Sequence, residues 1–378
     1  MGIVKQMDFE KELEKNGKQH RYNFHDIVSF QMFTDDSLAE SYIEAEYLHH
    51  EGVSRDTKLP SVRLYFQRRE GIFQIPDGFT YHVHKGLARW AYKLQINPDR
   101  IQIDAIGNRT AIPMIQHMLV HPSLRYLASH RGVLMLHAGA TAYNNHSLIF
   151  SAKGGTGKST ICSMLLTYGD SNWKIHADDF VFLGIGPVSL AYLTRMHVYW
   201  KLLKMVPKLN ERLSPQEHLQ LAILGRMRVW SGDHLRWPIR KDTQEMWPDR
   251  HFCMRAAPAA LLTLRRNKNS EPTIYPIDDL PGLVDELVEM NFQEARHYIN
   301  LVDKSEAVSD SAAWLSAWKK REQMLLKNRL AEIPAYQLHI PEISFSHNPS
   351  QPALLELLAE LAENNGVLPN QYQSGRAS

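Results

Sequence analysis

Short apolar runs dominate the first hundred residues. Ile27 to Phe33, Val62 to Gln67, Thr80 to His84, Ala91 to Ile96 and Arg100 to Ile103 read as strands, with Asn97-Pro98-Asp99 as a turn. The period then changes. Ile112 to Val120 and Leu124 to His130 carry apolar positions at helical spacing around Pro122 and end at Gly132. Val133 to Leu136 and Ser147 to Phe150 are short continuous apolar runs that fit buried strands, and Ile161, Met164, Leu165 and Leu166 return to the helical period. Further on, Lys174 to Leu183 reads as core strand material interrupted by Asp178-Asp179. Val198 to Leu209 and Pro215 to Met227 read as helices, the second capped by Ser214. Ala259 to Arg265 is a core strand followed by a turn at Asn267 to Ser270, Pro281 to Ala295 and Ala312 to Arg329 are helices, and Tyr336 to Ile340 is a late strand. Pro352 to Asn364 is an amphipathic helix stopped near Gly366, and the small polar tail from Asn370 is expected to be disordered. There is no internal repeat and no low-complexity linker. The expected organisation is α/β: a β-rich region over 1–110, a mixed sheet flanked by helices over 111–345, and a C-terminal helix with its tail over 346–378.

Composition narrows the setting. In 378 residues a formal charge of +2 offers no electrostatic case for a nucleic acid or an anionic membrane as partner. Cys162 and Cys253 are the only cysteines, too few for a disulfide framework and without zinc-ligand spacing. Met1 to Lys15 is charged and lacks an apolar signal core, and no stretch reaches the length of a membrane span, so a cytoplasmic protein is expected.

The chemistry concentrates in Ser151 to Thr160, a glycine-rich run that follows an apolar strand and opens a helix. Glycines at 154, 155 and 157 permit positive φ and close backbone approach, so that successive N–H groups converge on a phosphate at a helix N-terminus. Ala152 stands where the strict phosphate-loop pattern has glycine. Lys153, Gly154, Gly155, Thr156, Gly157, Lys158, Ser159 and Thr160 are therefore the expected nucleotide-binding set, with Lys158 on the β- and γ-phosphates and Ser159 on Mg²⁺. About twenty residues after Lys158 come Asp178 and Asp179. Paired carboxylates there can divide the labour, one at the metal and the other taking a proton from an attacking hydroxyl. Mutual repulsion raises one pKa of such a pair.

His137, the run Gly155-Thr156-Gly157-Lys158-Ser159 and the run Ala177-Asp178-Asp179 together resemble the C-terminal catalytic domain of HPr kinase/phosphorylase and its relatives. That group shares a P-loop ancestry with ATP-dependent phosphoenolpyruvate carboxykinase and includes kinases of lasso-peptide precursors and of free serine. The resemblance covers Leu134 to Leu183; beyond it only the layout is similar. It implies a P-loop mixed sheet and transfer of the γ-phosphoryl group of ATP, with Mg²⁺, to a serine-type hydroxyl on a peptide or protein. His137, Lys158, Asp178 and Asp179 would be the catalytic set, with Ser159 and Asp179 at the metal; the residues leave open which aspartate is the base. Relatives often assemble, so a homo-oligomer is part of what the resemblance implies. The glutamate-arginine-glycine signature of true HPr kinases has no counterpart after the Asp pair, so HPr recognition and the phosphorylase reaction are not carried over.

Arg195, Arg236 and Arg240 are candidates for the γ-phosphate, since a planar guanidinium engages two phosphate oxygens. His176 reads as structural, and the tryptophans at 230, 237, 247, 314 and 318 as packing residues. Two rivals stand beside the serine kinase of peptides or of free serine. Lys153 also fits the loop of partitioning ATPases, whose extra lysine reaches a partner's nucleotide across a dimer, although those carry Asp-x-Asp after the helix where this chain has Asp178-Asp179. A carboxykinase-like enzyme of small metabolites would need a basic carboxylate pocket that the sequence does not mark.

Overall fold

In the computed structural model, which describes residues 6–52, 58–71, 75, 78–79, 81–232, 238–267, 271–341 and 351–368, the alternating runs near the N-terminus become one mixed sheet. In chain order the elements are α1 (Gln6–Asn16), β1 (Lys18–Phe24), β2 (Val28–Thr34), α2 (Ser37–Tyr47), β3 (Ser61–Arg68), β4 (Tyr81–Lys85), β5 (Ala88–Ile96) and β6 (Arg100–Gly107). Laterally the strands run β1-β2-β3-β6-β5-β4, with β2, β3 and β6 parallel and the remaining pairs antiparallel. The expected turn joins β5 to β6, its Asn97 N–H donating to the Arg100 carbonyl at 2.9 Å. Helix α2 starts where Asp36 accepts from the Ala39 N–H at 3.0 Å. Next come α3 (Ala111–Ile115), a π turn over Gln116–Val120, and α4 (His121–His130), in which Pro122 occupies the first turn, where its missing N–H costs nothing.

The second stretch holds β7 (Leu134–Tyr143), β8 (His146–Ser151), α5 (Lys158–Tyr168), β9 (Trp173–Ala177), β10 (Phe180–Leu183), β11 (Ser189–Ala191), β12 (Met196–Val198), α6 (Trp200–Met205), α7 (Pro215–Trp230), β13 (Ile239–Lys241), α8 (Thr243–Met246), β14 (Arg255–Asn267) and β15 (Thr273–Pro276). Helices α9 (Leu280–Glu294), α10 (Arg296–Ser305) and α11 (Ser311–Leu330) precede β16 (Ala335–Pro341) and α12 (Gln351–Glu363). Eight strands form the larger sheet in the order β11-β10-β7-β8-β14-β16-β15, with β9 added on β7; β8, β14 and β16 are parallel, as befits strands joined through helices. Leu354, Leu357, Leu358 and Leu361 of α12 are buried in the same core as Leu148 and Phe150 of β8 and Leu262 of β14.

The chain divides into two compact units, one formed by residues 1–135 with 291–325 and the other by 136–290 with 326–378. Both are mixed α/β. The helix expected over Val198 to Leu209 is shorter: Val198 ends β12, and α6 stops before Pro207, which lacks an N–H to continue the ladder. Helix α7 begins at Ser214 as expected, with a full capping box between Ser214 and Glu217. Cys162 and Cys253 are free and buried. Among the described residues no helix is long and apolar enough to cross a membrane. The turn expected at 268–270, Arg236, Trp237 and the tail from 370 lie outside the described residues.

Candidate active site

Strand order brings the chemistry together. β7 runs antiparallel to both β8 and β9, with Ala138 opposite Ser151 and Ala140 opposite Ala177. The start of β7 therefore lies beside the ends of both neighbours, one leading into the glycine-rich loop and the other into Asp178-Asp179. Gly139 makes this approach feasible. A Cβ there would lie 3.0 Å from the Asp178 carbonyl oxygen, 3.1 Å from Cys162 Sγ and 3.6 Å from Lys158 Cβ.

The loop spans 152–157, and Gly155 and Gly157 take φ of +82° and +134°, a region that a residue with Cβ resists. Gly154 has neither positive φ nor any atom near its Cβ direction, so the backbone does not require glycine there. Lys153 is exposed at the loop surface. Arg266 Nε donates to the Thr156 carbonyl at 2.9 Å, which sets a guanidinium beside the loop. Lys158 is the first residue of α5 and is buried; its Nζ donates to the Ala152 carbonyl at 2.9 Å and to His137 Nε2 at 2.8 Å. His137 thereby carries its proton on Nδ1, and its ring meets Phe180 edge-on at 5.2 Å. Ser159 and Thr160 follow in the first turn, half-buried.

The two aspartates part company. The Ser159 hydroxyl and the His197 backbone N–H act on Asp178 as donors that lower its pKa. Burial pushes its pKa up to about 6, and the neighbouring Asp179 charge adds to the rise. Its surroundings include a buried cavity of about 20 Å³, also lined by Cys162, Met196 and Trp247 and large enough for one water molecule. Asp179 keeps about a third of its side chain exposed; its partial burial opposes ionisation, yet the hydrogen bond from His197, with the charge of Lys158, outweighs this and holds its carboxyl far below the usual range. Thus the pair holds one carboxyl easily protonated and one firmly ionised.

His197 is the partner that the sequence did not reveal. On β12 it pairs directly across from Arg240 on β13. Arg240 donates to His197 Nε2 from Nη2 at 2.9 Å and from Nε at 3.1 Å, so the imidazole proton sits on Nδ1 and reaches Asp179 Oδ2 at 3.0 Å. Burial lowers the imidazole pKa, but Asp179 raises it by more, against the pull of Arg240. Tyr199 stacks on the same ring with centroids 6.4 Å apart, its phenol pKa raised by burial and by the charges of Asp179 and Asp178. The chain Arg240–His197–Asp179 fixes both tautomer and carboxylate orientation.

Of the candidate set, Lys158, His137, Asp178, Asp179 and Ser159 converge, and Arg240 joins them. Ser159 bears on the pKa of Asp178, whereas Asp179 is the partner expected to share the metal with it. Arg195 lies between β11 and β12, and His176 is a packing residue bonded to the Ser189 hydroxyl at 3.0 Å. Trp247 is buried, whereas Trp230 is almost wholly exposed. Donor atoms of Asp178, Asp179 and His197 lie within 4.8 Å of one another, and the Ser159 hydroxyl adds an oxygen next to Asp178. Oxygen-rich donors of this kind suit a hard divalent cation such as Mg²⁺. A second grouping, His20 with Glu40 and Glu44, already has Lys18 on Glu40 at 2.8 Å. Together the exposed loop N–H groups, Lys158 and Arg266 favour an anion at the N-terminus of α5. No protein-family model matches the chain, and no curated protein matches it.

Proposed function

We propose that this protein is an ATP- and Mg²⁺-dependent kinase built on a P-loop domain, transferring the γ-phosphoryl group to a serine-type hydroxyl on a peptide or protein. The observation that carries this reading is the close approach at Gly139, where the Asp178 carbonyl oxygen and the Lys158 Cβ lie 3.0 and 3.6 Å from one point, which joins the phosphate-binding end of α5 to the paired carboxylates. Ser159 and Asp178 would hold Mg²⁺, which when bound neutralises charge on the triphosphate.

The chain's own residues do the rest. Loop N–H groups cradle the phosphates. Lys158, directed by His137, neutralises charge on the group being transferred. Asp179 orients the acceptor hydroxyl and receives its proton, while His197 and Arg240 hold the carboxylate in place. A strongly ionised carboxylate suits this role because the transition state of phosphoryl transfer is loose and the nucleophile's proton leaves late, which makes position count for more than basicity.

The test is mass spectrometry of polypeptides encoded beside the gene after incubation with Mg-ATP. Phosphoserine in one of them, absent with Asp179→Asn, is the expected result; ATP turnover with no acceptor modified under any condition sinks the reading. The exposed Lys153 favours a second reading, a nucleotide-driven switch, for which ATP-dependent dimerisation abolished by Lys153→Ala would be the mark.

A further inference from the structure

Helix α7 turns two different faces to its surroundings. Leu221 is its one buried residue, and the face around it carries Glu217, bound to Lys241 at 2.8 Å, and Arg228, whose charge bears on Tyr199 beside the Asp179–His197 pair. The opposite face is a helical-period stripe of Leu219, Ile223, Arg226 and Trp230, with Val229 next to it. Leu219 is 64% exposed, Ile223 50%, Val229 82% and Trp230 96%. This is an unusual concentration of apolar surface on one helix. It continues towards the site: Gly225 would place a Cβ only 3.5 Å from the half-exposed Trp200, which directly follows Tyr199, and Val229 lies one turn beyond Gly225. The rim is basic. Lys201, Lys204 and Arg226 are exposed, and Lys204 lies over the Trp200 ring at 5.9 Å.

We infer that this surface, the outward face of α7 with Trp200, docks the polypeptide that carries the acceptor hydroxyl, and that it selects a segment with apolar anchors flanked by acidic residues. The inference rests on the kinase reading above and adds the chemistry of its substrate. Charge selects the occupant. A two-fold contact with a second copy would set this basic rim against the same basic rim, whereas an acidic apolar segment meets both the stripe and its rim. Continuity selects the role, because Val229 lies one turn from Gly225, which packs against Trp200, and Trp200 directly follows Tyr199, the residue stacked on His197.

Two fluorescein-labelled synthetic peptides of equal length and equal leucine content, one flanked by glutamate and one by lysine, test this by anisotropy on the full chain. The glutamate peptide should bind, and the exposed-site double variant Leu219→Gln/Ile223→Gln and the single variant Arg226→Glu should each weaken it about tenfold or more. Binding of a fluorescent ATP analogue should stay unchanged. Equal binding of the two peptides, no binding of the glutamate peptide, or indifference to the substitutions overturns the proposal. So does the loss, in the double variant, of self-association or of binding to phosphatidylserine vesicles, since either assigns the stripe to another occupant. Glutamate-peptide binding at the stripe in a protein that phosphorylates nothing upholds the docking surface and overturns the kinase reading; transfer to free serine with no peptide binding does the reverse.

Discussion

Two charge clusters, one in each unit, obey opposite rules. In the first, Arg125 of α4 and Glu322 of α11 are almost wholly buried and paired through two nitrogens, with Nε to Oε1 at 2.7 Å. The pair is further held: Arg125 also donates to the Asn291 carbonyl, Trp318 Nε1 donates to Glu322 at 2.8 Å, and the guanidinium is stacked between Phe292 at 4.6 Å and Trp318 at 4.9 Å. In the second, Asp178 and Asp179 are adjacent like charges, balanced only by groups around them, and Asp179 keeps a third of its side chain exposed. Satisfied opposite charges hold a fold in one arrangement; unresolved like charges beside a cleft are kept at a cost to stability, which points to chemistry. The difference between the clusters is why the proposed chemistry is placed at the second.

The sharpest way to break the comparison is to unpair the first cluster. Glu322→Ala leaves Arg125 buried with no counter-charge and should cost about 3–5 kcal/mol, measured by denaturant unfolding of the full chain. Glu322→Gln keeps the shape and one acceptor oxygen but removes the same charge, so it should cost nearly as much; a much smaller loss would mean that packing and hydrogen bonding, not charge, are what matter there. In the second cluster the large effect falls on transfer instead. Asp179→Asn should lower phosphoryl transfer by about 10²–10³-fold with folding and nucleotide binding intact. A variant as active as the native chain removes Asp179 from the mechanism and leaves Asp178, with its pKa near 6, as the base.

His197 is expected to have the next largest effect. Substitution to Phe retains the ring but removes the Nδ1 hydrogen bond to Asp179, so transfer should fall about 10–100-fold, as for other groups that orient a reacting residue. Arg240→Lys keeps the charge but loses the two-point contact on Nε2 and should fall less. The discriminating readout is the acid limb of the kcat profile. With the hydrogen bond of His197 gone, Asp179 protonates at higher pH, so the limb moves up; a profile that keeps its native position would reduce His197 to a packing residue.

How far these residues were legible in the sequence follows the range of their interactions. The loop, Lys158, Ser159 and the Asp pair are contiguous signals flanked by apolar strands, and the strand and helix runs around them appear where the periodicity puts them. His197 and Arg240 meet across a two-stranded ribbon with a separation of 43 residues, and nothing local in either segment announces the other. The alternation Met196-His197-Val198 was a weak strand signal that the helical pattern starting at Val198 obscured. Gly139 was visible only as a small residue past the strand expected over Val133 to Leu136, because its importance comes from three neighbours brought to it by folding, and the strand itself runs on to Tyr143. Which aspartate faces Ser159 depends on the side-chain direction at a two-residue junction, and adjacent identical residues give no clue to that. The return of 291–325 to the N-terminal unit is likewise a matter of topology, since those helices read by periodicity alone could pack on either sheet.

The smallest effect tests the electrostatic half of the comparison directly. Asp178 protonates near pH 6 in the folded chain but near pH 4 when unfolded. Between those values the native state binds the extra proton, so this group's contribution to stability falls as pH rises and its cost is complete above about pH 6. Asp178→Asn removes that cost. The variant should therefore be more stable than the native protein by about 1–2 kcal/mol near pH 7.5, with the gain shrinking to nothing near pH 4.5, where the native carboxyl is already neutral. Asp179 works in the other direction: its depressed pKa supplies stability above about pH 4 that is lost as pH falls, and both proteins share it, so it cancels from the difference. Paired unfolding curves at the two pH values, without divalent cation, read the difference alone. If Asp178→Asn were destabilising at neutral pH, the donors Ser159 and the His197 N–H would outweigh the repulsion, and the second cluster would belong with the first as a satisfied structural feature.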